Sequence, residues 1–296
     1  MSRKLFPIIA ILTLVLTTIA CSFTVNMPSI KQIKTGPTQT ETIHVAAPAP
    51  AAASPAASDV TLAFGAGELN VAPGAENAIV DGVATYNVQE LKPVVTVNGS
   101  TVRIETGNLG NNGFSNFNFG AKNFKNTWDL KLGNMPMNLH IKAGAYKGDY
   151  ELGGLALQSL DVADGASQVG LKFSQPNTVP MDNLTYETGA SNVNLSGLGN
   201  ADFQTMTFRG GAGNYTLDFS GTLKRAATVN IDSGISQITI IVPQGVSAQL
   251  TVKGALSNVN MNGAWQKSGG NYVNSGSGPQ ITIYVTMGAG NLQLSN

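Results

Sequence analysis

Residues Asn183 to Gly221 read NLTYETGASNVNLSGLGNADFQTMTFRGGAGNYTLDFSG, and they hold one unit twice. Leu184 and Tyr186 alternate with polar residues, Gly189-Ala190 follows, and Val193 and Leu195 resume the alternation. Met206 and Phe208 then lead to Gly211-Ala212, and on to Tyr215, Leu217 and Phe219. Successive side chains of a strand point to opposite sides, so apolar residues two apart mark a strand with one buried face. The unit is strand, Gly-Ala turn, strand.

Extended outward, the turn glycine recurs at Gly144, Gly165, Gly189, Gly211, Gly234, Gly254 and Gly288, at spacings of 21, 24, 22, 23, 20 and 34. A fixed period predicts stacked units, because none buries its apolar face alone. The expectation is an all-β solenoid of two-strand coils with a period near 22, its two sheets facing each other. Each turn glycine should serve either a positive φ or a close backbone approach. The wide last gap, Trp265–Ser277, reads as an insertion or terminal hairpin. Leu292 and Leu294 lie so near Asn296 that the last coil looks barely capped. An uncapped coil offers strand groups for self-association.

Four segments follow from the same reading. Residues 1–20 form a signal peptide: Arg3 and Lys4 precede an apolar run, Leu5–Leu16, shorter than the roughly 20 residues of a membrane span. The run ends in Thr17-Thr18-Ile19-Ala20-Cys21, and Cys21 is the chain's single cysteine. This resembles a bacterial lipobox, with Thr18 where Leu is usual. The resemblance implies lipid on Cys21 and attachment to a membrane. Residues 21–59 read as a tether, for AAPAPAAASPAAS (Ala46–Ser58) favours extended chain over a core. Residues 60–126 form an N-terminal β module with a hairpin turning at Asn98-Gly99. Its Asn/Gly-rich junction carries Phe114, Phe117, Phe119 and Phe124, which read as packing anchors, with a stacking platform for a sugar or a partner as the alternative. Residues 127–296 carry the repeats.

Charged residues are only 11% of the chain, and removing residues 1–20 leaves 15 basic against 17 acidic. No basic patch appears, which excludes an electrostatic nucleic-acid binder. One cysteine and two distant histidines cannot build a zinc site. Gly210-Gly211-Ala212-Gly213-Asn214 begins like a calcium-binding repeat, but Tyr215 stands where an acidic ligand is needed. No metal or cofactor is expected. His44 falls in the tether, and His140, between Leu139 and Ile141, faces solvent.

Asp182, Glu187, Asp202 and Arg209 are the residue types that a polysaccharide-cleaving β-helix enzyme would gather. They read instead as solvated strand ends, so the chain is read as a non-enzyme, with that enzyme as the alternative. Asn192, Asn194, Asn200 and Asn214 recur near turns. Such amides either satisfy turn backbone or present an uncharged surface to neutral glycan. Asn192, Asn194 and Asn214 are the candidate contact residues.

Several stretches together resemble the toast-rack family of bacterial envelope proteins and, more loosely, adhesins built from repeated β-strand units. They are LAFGAGELNV (Leu62–Val71), GVATYNVQELKPVV (Gly82–Val95) and WDLKLGNMPMNLHIKAGA (Trp128–Ala145), continuing through RGGAGNYTLDFSG. The resemblance implies a β-solenoid displayed outside the cytoplasm, without enzymatic activity. Many relatives carry Gly-Ala-Gly-Asp at the turn. Here the fourth place is Gln168, Asn192, Asn214 or Gln237, which removes the charge a cation would need. The expectation is a lipid-anchored envelope protein, on the outer side of the cytoplasmic membrane or in the outer membrane. Its surface would meet glycan or an envelope protein.

Overall fold

The long strands of this protein bend. In β10 (Phe203–Asp218), Phe208 and Tyr215 are buried with ring centroids 5.0 Å apart. Seven residues of straight strand would separate them by about 23 Å. The strand therefore doubles back between them, at Gly210–Gly213, and its two arms face each other across the core. The same fold-back brings Thr188 Oγ1 within 2.6 Å of Ser191 Oγ, and Ser233 Oγ within 2.7 Å of Ser236 Oγ. A repeat is thus one continuous bent strand rather than two short ones.

The computed structural model describes residues 35–47, 57–107, 124–254 and 258–296. The signal segment, Cys21, most of the Pro/Ala tract and Phe114, Phe117 and Phe119 lie outside them. Bent strands β2 (Ser58–Ala75), β7 (Met137–Glu151), β8 (Leu157–Lys172), β9 (Met181–Ser196), β10, β11 (Ala227–Ile241) and β16 (Gly276–Ser295) stack parallel and in register in that order. Every rung points apolar residues inward: Leu184, Tyr186, Val193 and Leu195 lie over Met206, Phe208, Tyr215 and Leu217. Burying each large apolar side chain contributes roughly 1.5–3 kcal/mol. One core runs the length of the stack. No described helix is long and apolar enough to cross a membrane.

Why glycine recurs at the corner is now explicit. A Cβ on Gly144, Gly165, Gly189, Gly211, Gly234 or Gly288 would lie 2.4–3.1 Å from the carbonyl oxygen of the corner glycine one rung before. None of the six has a positive φ, so close backbone approach is the reason. The column begins at Gly65 and omits Gly254, which faces Met287 instead.

That omission marks a departure from the expected order. β12 (Gly245–Gly254) and β13 (Asn258–Met261) imitate a rung, yet they lie outside β16, pairing with its first and second arms. The chain passes β11, builds the outer layer, and returns to place β16 between them. Burial explains the exchange. β16 has a full set of inward residues, Ile281, Ile283, Val285, Met287, Leu292 and Leu294, whereas β13 exposes most of its length. A hairpin of β14 (Gln266–Ser268) and β15 (Asn271–Asn274) extends this cap. Leu292 and Leu294 are therefore interior, and the minimal cap expected from sequence is corrected. Pro279 falls at the irregularity where β16 meets β12, a place that tolerates its missing N–H.

The other end is closed similarly. β5 (Thr101–Thr106) pairs with the first arm of β2 and carries β4 (Pro93–Asn98) outside it. β6 (Asn126–Gly133) pairs with the second arm, followed by β3 (Ala78–Tyr86) and β1 (Gln39–Ala46). Three expectations change here. β1 lies within the assigned tether but is a strand that buries Ile43 and Val45. Residues 60–126 are not set apart, because β2 pairs with β7 from Ser58 to Val71 and shares its core. The hairpin turns at Gly99-Ser100, since Asn98 pairs with Thr101. Gly99 has φ 58, as a Gly-first hairpin turn requires. Phe124 packs against Tyr86, Val88 and Leu91 as an anchor.

Candidate functional site

The register carries single residue types into columns that run across the strands, about 4.8 Å per rung. At the fourth place of the corner, Gln168, Asn192, Asn214, Gln237 and Asn291 are direct neighbours on five successive rungs. All five are exposed. Asn194, two residues after Asn192, belongs to the next outward column on the same arm, between Gly170 and Thr216. The three predicted contact residues thus share one face. Among the described residues, the side chains of Asn192, Asn194 and Asn214 make no hydrogen bond, so their amides are directed to solvent.

Asn200 serves the other role considered for these amides. Its Nδ2 donates to Phe173 O at 3.0 Å, and its Oδ1 accepts from Thr222 N at 2.9 Å. Asn177, fully buried, does the same for Leu157 and Val179. Amides bonded to backbone close the connections between rungs, and exposed ones line the outer face.

The outer face of the first arm was not singled out from sequence. It carries Asn183, Thr205, Thr228 and Thr282 in one column, with Thr185, Thr207 and Asn230 in the next. Each is visible as a polar partner in an alternating run. Only register reveals a two-dimensional array of hydroxyls and amides.

Beside the corner, the charged column Glu187, Arg209 and Asp232 borders a shallow trough of about 540 Å³ floored by Gly210, Gly211 and Gly234. Glu187 and Arg209 are opposite each other and form an ion pair. Asp202 immediately precedes β10, about 23 Å along the strand from that pair's level. It is buried, with Arg225 Nε 3.3 Å and Lys224 Nζ 3.9 Å from its carboxylate. Asp182 is exposed. Glu187 and Arg209 therefore lie apart from Asp182 and Asp202. Those last two start neighbouring rungs, since Met181 N–H donates to Asp202 O, but the Asp202 carboxylate is buried against Arg225 and Lys224 while Asp182 is exposed. Among the described residues, no group of three His, Cys, Asp or Glu is placed to hold a metal. His140 Nδ1 lies 2.9 Å from Asp161 on the neighbouring rung. His44, expected in the tether, is on β1 with Nδ1 2.5 Å from Asp81.

Asp202 also gives a stability prediction. Arg225→Met should cost about 3 kcal/mol, because it leaves a buried carboxylate with only the more distant Lys224. Urea unfolding of the two proteins measures this. A change below 1 kcal/mol or so, the size of a surface pair, would show that the pair contributes little.

Behind the corner lies a polar cluster that the sequence did not announce. Asp164 Oδ2 accepts hydrogen bonds from Tyr146 (3.2 Å) and Tyr186 (2.8 Å), and Oδ1 accepts one from Thr188. With the single Thr188 proton given to Asp164, the Ser191 hydroxyl donates to Thr188 Oγ1 at 2.6 Å and accepts from Ser167 Oγ. Burial foremost, with the neighbouring tyrosine and Asp164 charges, pushes the Tyr146, Tyr150 and Tyr186 hydroxyls far above their ordinary value. These groups hold the bend shut rather than facing a ligand.

The chain is similar to several solved structures. A "putative cell adhesion protein" from Clostridium sporogenes is 20% identical, over 88% of this chain and 99% of that one, with a TM-score of 0.47. A "putative adhesin" from Bacteroides fragilis is 11% identical, over 89% and 99%, with a TM-score of 0.37. A "putative lipid binding protein" from Parabacteroides distasonis is 13% identical, over 89% and 99%, with a TM-score of 0.36. No curated protein matches the chain. The family model described as the N-terminal domain of toast_rack, DUF2154, matches twice, over residues 34–177 and 174–241. Those matches cover well over half of the sequence, including β1 through β11, and the chain belongs to the toast-rack family.

Proposed function

We propose that this protein is an exported, non-catalytic envelope protein that acts by surface contact, held to a membrane by lipid on Cys21. Its partner is a neutral glycan lying against the outward amides of the second arm. The supporting observation is the column Gln168, Asn192, Asn214, Gln237 and Asn291: five uncharged donor-acceptor groups, exposed and evenly spaced. An amide both donates and accepts, as a sugar hydroxyl does, and carries no charge to be screened. Even spacing lets successive units of a polymer repeat one contact, so weak bonds add through multivalency.

Two experiments test the reading. Retention on immobilised neutral polysaccharide should weaken on the order of tenfold in Asn192→Ala/Asn214→Ala, the loss of one or two net hydrogen bonds. Unfolding should be unchanged, since both side chains are exposed. Equal retention would remove the column from the binding surface. Separately, Cys21→Ser should lose both the added lipid mass and the membrane partitioning seen in the unaltered chain. An unaltered chain that is soluble and unmodified would reject the anchor.

A further inference from the structure

Among the described residues, the four outer strand edges of this sheet are not alike. β1 carries Glu41 and His44, paired to Lys92 and Asp81. β13 has four residues, and β14 has three, one of them Lys267. Short length and charge are the usual guards against edge pairing. β4 has neither. It reads PVVTVN, continues into Gly99-Ser100, and has no charged residue from Pro93 to Ser100. Val94, Val95 and Val97 are 46%, 41% and 53% exposed, so both faces of the strand are bare. Among the described residues, β4 pairs only with β5, and its other edge is open.

We propose that β4 pairs antiparallel with β4 of a second copy of this chain, joining two stacks into a two-fold dimer at the end opposite the β12–β15 cap. An open strand edge is complementary to itself when reversed, which is the geometry of an isologous contact. β4 already has an antiparallel neighbour in β5, so the new pair continues that pattern. A run without charge sets no like charges opposite each other across the axis. β-branched residues suit such a pairing, and the valines of one strand meet those of the other. The contact uses no residue of the amide column, so it stands apart from the glycan reading.

Oxidative trapping tests this in the full chain, whose only native cysteine is Cys21. Val95→Cys or Thr96→Cys, whichever stands on the two-fold axis near the middle of β4 and so faces its own copy, should give a disulfide-linked dimer under mild oxidation. Asn194→Cys, on the rung face, should not. Val95→Lys/Val97→Lys changes only exposed positions. By sedimentation it should turn a concentration-dependent dimer into a monomer with the same unfolding temperature. A monomer at all concentrations, with no trapping at 95 or 96, overturns the proposal. A monomer that binds neutral phosphatidylcholine vesicles through these valines also overturns it, by assigning them to a lipid surface.

Discussion

Gly189→Ala is expected to destabilise the protein by about 3 kcal/mol, an overpacking cost at the upper end of the usual range. The added Cβ would stand 2.5 Å from the carbonyl oxygen of Gly165, and that carbonyl belongs to backbone held in register on both sides. No side-chain motion relieves such a contact, so two rungs must separate or the corner must open. Gly170→Ala is the control, on the rung before and in the same strand as Gly165. Nothing lies within 4 Å of its Cβ position, and its φ is not positive. It should be neutral, or gain a few tenths of a kcal/mol from a less flexible unfolded chain. Equal effects of the two substitutions in denaturant unfolding would show that the corner column is not a close-contact ladder.

The second large effect is alkaline. In the unfolded chain a tyrosine releases its proton near pH 10. In the fold, burial first, and then the charges around Asp164, keep Tyr146, Tyr150 and Tyr186 protonated well beyond that. Above pH 10 the unfolded state therefore binds fewer protons than the folded one, and stability falls as pH rises. It is fully present below pH 10. Each tyrosine contributes about 1.4 kcal/mol per pH unit, so the three together give a slope on the order of 4 kcal/mol per unit. Urea unfolding across this range measures the slope. Tyr186→Phe should lower stability by about 1 kcal/mol near neutrality, through its lost hydrogen bond, and make the alkaline slope shallower. A stability that stays flat through pH 11 would contradict the burial of these hydroxyls.

Much of the fold is legible in the sequence because two signals are local. Alternation in Leu184/Tyr186 or Tyr215/Leu217 declares which side of a strand is buried. The glycine before each alanine declares a corner where a Cβ has no room. What is not legible depends on pairing partners. Gln39–Ala46 shows only Ile43 and Val45 in alternation, too little to distinguish a strand from the Pro/Ala stretch after it. Gly254 follows Leu250 and Val252 and precedes Val259, so it copies the corner pattern. The half-exposed setting of Val252 and Val259 identifies the outer layer, and only the structure provides that.

The candidate surface divides in the same way. Asn192 and Asn214 are recognisable as recurrent, and as replacing an acidic residue common in relatives. Gln168 and Gln237 share their turn position in the sequence, but the addition of Asn291 and the side-by-side placement of all five on successive rungs require the register. So does the separation of Asn200, whose amide is spent on backbone groups of two rung connections. The carboxylates were compatible with catalysis while their positions were unknown. Placing Glu187 against Arg209, and Asp202 against Arg225, separates Glu187 from Asp202 and leaves the Asp202 carboxylate buried beside an exposed Asp182.

The most direct measurement of the contact reading is the affinity of the full chain for a neutral polysaccharide at low and at high salt, beside an acidic polysaccharide. Uncharged amides predict binding of the neutral polymer that is nearly independent of salt, because screening acts only on charges. Binding that favours the acidic polymer and collapses as salt rises would contradict it, and would move the contact from the amide column to the charged one at Glu187, Arg209 and Asp232.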